Sequence, residues 1–302
     1  MKRHTVALLI VFAVIVTAMS GCKKPSDDID VIPDETLPDI SDYLLKYPDY
    51  IPEYYDDESN RQPYSYSAGR DDNGYWVGVT ALDYVEMFEY KGMELPFYVH
   101  TVTDMDIDIA ILGLLENVHD VDFYTLTDSQ VSEHFSQTHG WNTISEMRED
   151  LEGEVLHSGV TEWFLDYIEN DVVVKPPEYF LEKIELSMIE FRRQEASESG
   201  MKFSEYVVDF FRIENGIRGL VESSRNDNIR NANVQLVFQA IAEDMKLIIS
   251  DKQFDDFVKR TKITNLDDAI EAVGLPYLKQ RAMTMAVIDY IIENAVLLES
   301  EE

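Results

Sequence analysis

The chain has 302 residues, with 25 Lys and Arg against 59 Asp and Glu, 45% hydrophobic residues and a single Cys. A formal charge of -34 excludes the clustered basic surface that nucleic acid or anionic lipid requires. One Cys excludes a disulfide framework, a CxxC redox centre and a Cys-based structural zinc site, while 17 Tyr and 14 Phe mark a folding composition long enough for one large domain or two ordinary ones.

Residues 1–21 open with Lys2 and Arg3, continue as an apolar run from Val6 to Met19, and end in Ser20 and Gly21 ahead of Cys22. This is the layout of a secretory signal peptide, too short for a spanning helix. The run MSGC resembles the bacterial lipobox, with Met19 where that motif usually has Leu. The resemblance implies cleavage before Cys22 and lipidation of that residue. It further implies an extracytoplasmic location, on the outer face of the cytoplasmic membrane or, where there are two membranes, on the outer membrane facing the periplasm. Cleavage would leave 23 basic against 59 acidic side chains, a charge of -36. Residues 22–48 carry Asp27, Asp28, Asp30, Asp34, Glu35, Asp39 and several Pro without a sustained period. They read as an acidic flexible tether with a reach of roughly 25 to 30 Å.

Residues 49–99 form a Tyr-rich segment. From Ile51 to Trp76 it is crowded with Tyr, Asp, Gly and Ser and reads as irregular, and YVEMFEYKGMELPFYV, Tyr84 to Val99, predicts one or two short strands around Lys91 and Gly92. Everything from Thr101 to Glu299 is expected to be helical. Thr103 with Asp106, Thr127 with Gln130, Thr143 with Glu146, Ser250 with Gln253 and Asn265 with Asp268 have the spacing of an N-cap and its acid or amide three residues on. Pro176 and Pro177 mark a helix start, Gly200 a stop, and Pro276 after Gly274 a stop followed by a start. Two long helices are predicted, about Pro177 to Ser199 and Ile213 to Lys246, the first with Phe180, Ile184, Met188 and Phe191 at helical spacing. The predicted fold class is mainly α, with a helical domain over residues 100–302 and a small β or irregular segment before it.

Catalytic patterns are absent from the sequence. The six His form no HExxH, and His134 and His139, five apart, fall on different helix faces and read as surface histidines. Asp104, Asp106 and Asp108 open like a calcium loop, but Ile109 and Leu115 occupy positions that need Gly and Glu, so they read as an acidic helix start. Ser199 and Lys202 satisfy SxxK without its companion motifs, and no phosphate-binding or nucleophile-elbow pattern occurs. The sequence therefore predicts no enzyme, no catalytic residue, no cofactor and no metal.

The order and wording of the helices resemble trigger factor, the bacterial folding chaperone. EYKGMEL, Glu89 to Leu95, is similar to the end of that family's amino-terminal domain, and TVTDMDIDIAILGLLE, Thr101 to Glu116, to the helix that follows. LTDSQVSEHF and WNTISEMREDLEGEV, within Leu126 to Val155, resemble the next helical segments, and VVVKPPEYFLEKIELSMIEFRRQ, Val172 to Gln194, the helix that opens the first arm. RNANVQLVFQAIAEDMKLIISDKQFDDFV, Arg230 to Val258, and the terminal IIENAVL complete the series, which covers about Asp83 to Leu298. Two departures stand out. Only a few residues bridge His119 to Phe123, where the family's prolyl-isomerase domain would be inserted, and the ribosome-docking loop is missing. Isomerase activity and a ribosome partner are therefore not expected.

The resemblance implies an ATP-independent holdase for unfolded or newly exported polypeptides, similar in shape to SurA-type and PrsA-type chaperones, held at the membrane by its lipid alone. In such a body, exposed aliphatic, aromatic and Met side chains bind many sequences while charge keeps the holder soluble. Met188, Phe191, Met201, Phe203, Tyr206, Val207, Phe210 and Phe211 cluster around the expected arm tip and are the candidate client contacts. The competing expectation is that the same residues close the hairpin into its own core. The alternative function is a surface interaction or assembly lipoprotein that uses the same helices to bind one specific protein partner.

Overall fold

The structure is a computed structural model that describes residues 56, 64–116, 118, 121–213 and 216–300. Residues 1–21, Cys22 and the 22–48 tether lie outside the described residues. The fold is mainly α, with ten α-helices and one two-stranded sheet among the described residues. The chain divides into two compact units, each drawn from two stretches of sequence.

The smaller unit takes in Pro176–Ala232 and described residues up to Ala68. Helix α5, Glu178–Glu198, starts behind Pro177, whose fixed φ and missing N–H suit an N-terminus. It ends in a Schellman motif: Gly200 has φ of 69°, its N–H donates to the Ser197 carbonyl at 3.0 Å, and the Met201 N–H donates to the Ala196 carbonyl at 2.9 Å. The chain then reverses into α6, Phe203–Asp209, and into α7, Gly216–Met245, whose residues up to Ala232 belong to this unit. Ile189, Ala196, Phe203, Tyr206, Val207, Ile217, Leu220 and Val221 bury together as its core.

The larger unit holds residues 69–175 and 233–302. It contains β1, Glu94–Leu95; α1, Phe97–His100; α2, Asp104–Leu115; α3, Asp128–Phe135; and α4, Ile144–Asp171. After the carboxyl-terminal part of α7 come α8, Asp251–Arg260; α9, Leu266–Val273; α10, Leu275–Asn294; and β2, Val296–Leu297. Helices α1, α2, α3 and α10 pack on α4, while α8 and α9 pack on α10. Ile107, Ile111, Leu115, Val131, Phe135, Trp141, Met147 and Leu151 form one core cluster. Phe164, fully buried on α4, meets Phe238 edge-on at 5.6 Å.

Start signals act as the sequence predicts. Thr103, Thr127, Thr143 and Ser250 each complete a reciprocal capping box with the residue three positions on. Asn265 accepts from the N–H groups of Asp267 and Asp268. Gly274 ends α9 with φ of 82° and precedes α10, which has Pro in its first turn.

Three expectations are corrected. A third long helix exists, since α4 runs 28 residues as one piece through Gly153 and Gly159. Only two residues of the Tyr84 to Val99 stretch form a named strand; Phe97–His100 is a helical turn behind Pro96, and Val85 makes an isolated bridge to Val174. Nor is the chain helical throughout beyond Thr101: β2 pairs in parallel with β1, Glu94 with Val296 and Leu95 with Leu297. A parallel partner some 200 residues away carries no local signature.

The segment from Arg70 to Asp83 has little regular structure and is nonetheless fixed in place. A row on α7, Gln235, Gln239 and Glu243, four apart and therefore on one helix face, grips its backbone and Trp76. The Trp76 N–H and indole Nε1 donate to Gln239 Oε1 and Gln235 Oε1 at 2.9 and 2.8 Å. Gln239 Nε2 donates to the Val79 carbonyl at 3.0 Å, and Glu243 accepts the N–H groups of Ala81 and Leu82 at 3.1 Å each. Arg70 stacks over the Trp76 ring at 3.9 Å and donates to Gln280 Oε1 at 2.6 Å. At Gly74, φ is 88° and a Cβ would lie 2.4 Å from the Gln280 backbone nitrogen, so both conformation and space demand Gly.

Candidate functional site

The eight predicted client contacts gather in the smaller unit, and most turn inward. Phe203, Tyr206 and Val207, spaced three and four apart on α6, are buried in the hairpin core. Met188, Met201 and Phe211 are half-buried against the same cluster. Phe191 is half-buried and meets Tyr64 edge-on at 5.4 Å, with Arg192 over its ring at 5.4 Å. Phe210 is the one of the eight that stands well clear, 67% exposed, with a face stacked on Tyr206 at 5.0 Å. As a contiguous apolar surface the predicted group is therefore not realised. Helix α6 uses the face of Phe203, Tyr206 and Val207 to close the hairpin, and the other side holds Ser204, Glu205 and Asp209 with one exposed apolar residue, Val208.

A larger exposed apolar feature lies on α2, where sequence reasoning did not look. Eight of its twelve residues are apolar, distributed around the whole circumference. A helix on one supporting surface can bury only part of that. Ile107, Ile111 and Leu115 enter the core, and Met105, Ile109 and Leu112 form a second row at the helical spacing of four and three. Those three are 71%, 61% and 45% exposed. Arg148 of α4 holds the acidic start of the helix by donating to Asp108 and, at 2.8 Å, to Asp104. Asp106 is engaged by its cap partner Thr103, which holds its carboxyl below the usual range. The three aspartates that resemble a calcium loop are thus spent on a helix start and an ion pair. The readable signal for this row was the lack of a polar face on α2.

A second apolar surface in the same unit surrounds β2. Phe97, His100, Leu297, Leu298, Glu299 and Ser300 line an open groove. His100 Nε2 lies 2.9 Å from the Leu298 carbonyl and fixes one wall.

The perturbed titratable groups concentrate elsewhere, along α4. Lys262 Nζ lies 2.7 Å from Asp150 Oδ2 and 3.5 Å from Glu154 Oε1, and Trp141 Nε1 donates to Asp150 Oδ2 at 2.8 Å. Arg260 pairs with Asp289 at 2.6 Å, and His157 Nε2 lies 3.6 Å from the same carboxylate. Burial pushes Asp150 up, but the hydrogen bonds from Lys262 and Trp141 outweigh it and hold the carboxyl below its ordinary value. Burial raises Glu154, and burial with the charge of Arg260 lowers His157. His139 lies tilted against Trp141, ring centroids 4.2 Å apart, and is pushed down to about 4, by burial and then by Lys262. The surface-histidine reading therefore holds for exposed His134 and fails for His139. Apart from His157 Nε2, which is buried and makes no hydrogen bond, these groups pair with one another as a structural ladder, and among the described residues no cluster of His, Cys, Asp and Glu could hold a metal ion.

No helix of the described residues is long and apolar enough to cross a membrane. No family model, curated protein or solved structure matches the chain.

Proposed function

We propose that the protein is a lipid-anchored, ATP-independent extracytoplasmic holdase for unfolded or newly exported polypeptides, without prolyl-isomerase activity. What carries this reading is the exposed row Met105, Ile109 and Leu112 on α2, set in a chain of formal charge -34. An aliphatic row about 10 Å long offers burial without directional demands, so it accepts many sequences. The Met at its end adapts to different side chains. The surrounding acids keep such a surface from associating with itself. The trigger factor resemblance of residues 83–298 points the same way, and the lipobox resemblance at Cys22 supplies the anchor.

The test is aggregation suppression by residues 23–302, without nucleotide, on several unrelated unfolded clients, beside a variant carrying Met105→Ser, Ile109→Ser and Leu112→Ser. The wild type is expected to suppress at near-stoichiometric ratios and the variant to lose most of that effect while melting cooperatively. Absence of suppression at excess for every client would refute the holdase reading and leave a module for a single partner.

A further inference from the structure

We propose that the outer edge of β2 and the groove beside it take up an extended polypeptide segment of alternating apolar and basic side chains as an added strand. This rests on the holdase reading and names one way a client is gripped. The pairing of the sheet supplies the first argument. The N–H groups of Val296 and Leu298 donate to the carbonyls of Met93 and Leu95 at 2.9 and 3.0 Å. Alternation along a strand then turns the N–H and C=O of Leu297 to the opposite side, where no described residue pairs with them.

Such an edge is usually blunted by Lys, Pro, a bulge or a covering helix. Here Val296, Leu297 and Leu298 stand exposed, Leu297 at 57%, and the nearby turn α1 leaves Phe97 and Tyr98 exposed as well. Phe97, Leu297 and Leu298 are the apolar members of the groove lining, beside His100, Glu299 and Ser300, and an apolar side chain of an added strand can pack on them.

Charge selects the occupant. Glu94 on β1 and Glu299 after β2 are exposed acids at the two ends of the short sheet. A second copy of this chain would bring the same acids, and a formal charge of -34, against them. An incoming strand with Lys or Arg at the outward positions instead places opposite charge there while its apolar residues enter the groove. Strand pairing supplies affinity through the backbone, so the alternation is recognised and not one sequence.

The experiment uses the full chain reconstituted in phosphatidylcholine vesicles and a labelled synthetic peptide of about eight residues alternating Val and Lys. Saturable binding is expected. A peptide with Glu for Lys, and one of equal charge with Val and Lys in separate blocks, should each bind at least about tenfold more weakly. Leu297→Pro removes the outward N–H together with the Leu side chain and is tolerated at an edge, so it should weaken binding about tenfold with the melting temperature kept, the side-chain share being read from Leu297→Ala. Leu297→Ala should cost only a few fold. Equal binding of the blocked or acidic peptide, or of Leu297→Pro, would overturn the inference. If Leu297→Pro does not fold, N-methylation of alternate amides of the peptide puts the same question to the wild type, and unchanged binding in both methylation registers overturns it. Aggregation suppression by the wild type without peptide binding removes this inference alone; loss of both removes the holdase reading as well.

Discussion

Helix α6 and helix α2 are both short, and both carry several large apolar side chains, yet they place them in opposite environments. In α6, Phe203, Tyr206 and Val207 share one face and vanish into the hairpin, while Ser204, Glu205 and Asp209 occupy the other and leave a single apolar residue there, Val208. In α2 the apolar residues run around the helix, so Ile107, Ile111 and Leu115 go inward and Met105, Ile109 and Leu112 have nowhere to go. The amount of apolar side chain does not decide what stays exposed. What decides it is whether the apolar residues exceed the face that a neighbour can cover.

The largest effect that bears on this contrast is expected at Phe203. Phe203→Ala should destabilise by about 3–5 kcal/mol in urea denaturation, and a loss under about 1 kcal/mol would return Phe203 to the list of client contacts. On α2 the two faces can be set against each other. Ile111→Ala is expected to cost about 2–4 kcal/mol and Ile109→Ala under about 1 kcal/mol, and equal losses would mean that the outer row is covered.

The polar side of the larger unit adds a pH dependence. His139 falls from 6.5 to about 4 on folding, so between those values the unfolded chain binds a proton that the native chain refuses. Its share of stability is complete above about pH 6.5 and declines as the pH drops toward 4. Lowered Asp150 acts in the same direction at still lower pH, and raised Glu154 opposes both. His139→Phe should flatten the fall in melting temperature between pH 7 and 4. Discounted for its partly exposed ring, the difference is about 1–2 kcal/mol. An unchanged pH profile would show that the imidazole titrates freely. The smallest effect belongs to Phe210, where Ser should change stability by under about 0.5 kcal/mol, and a larger loss would place it in the core with Tyr206.

What was legible in the sequence was local. Capping boxes declare themselves within four residues, and Thr103, Thr127, Thr143 and Ser250 were readable because their partners are adjacent in sequence. Gly200 and Gly274 were readable as stops for the same reason. The strand pair was not, because Leu95 and Leu297 meet only through the fold. The length of α4 was hidden by Gly153 and Gly159, which lower helix propensity and are held by packing on either side. The candidate site divided in the same way: the residue types at 188–211 were read from sequence, but which of them face outward depended on how the hairpin closes. The α2 row was visible in composition and became a surface only once one supporting face was known.

The row Gln235, Gln239 and Glu243 has a bearing on how substitutions should distribute. Two of these three side chains address main-chain atoms of residues some 160 positions earlier, so the shape of that stretch depends on residues outside it as well as on its own turns at Asp71 and Thr80. Val77 and Leu82 project into solvent and can be exchanged freely without disturbing the grip, whereas Gly74, Trp76 and the three α7 residues cannot. A library randomised at 77 and 82 should accordingly retain most of its folded members, while buried Val79 and Ala81 have to be kept, and one randomised at 235, 239 and 243 should lose them.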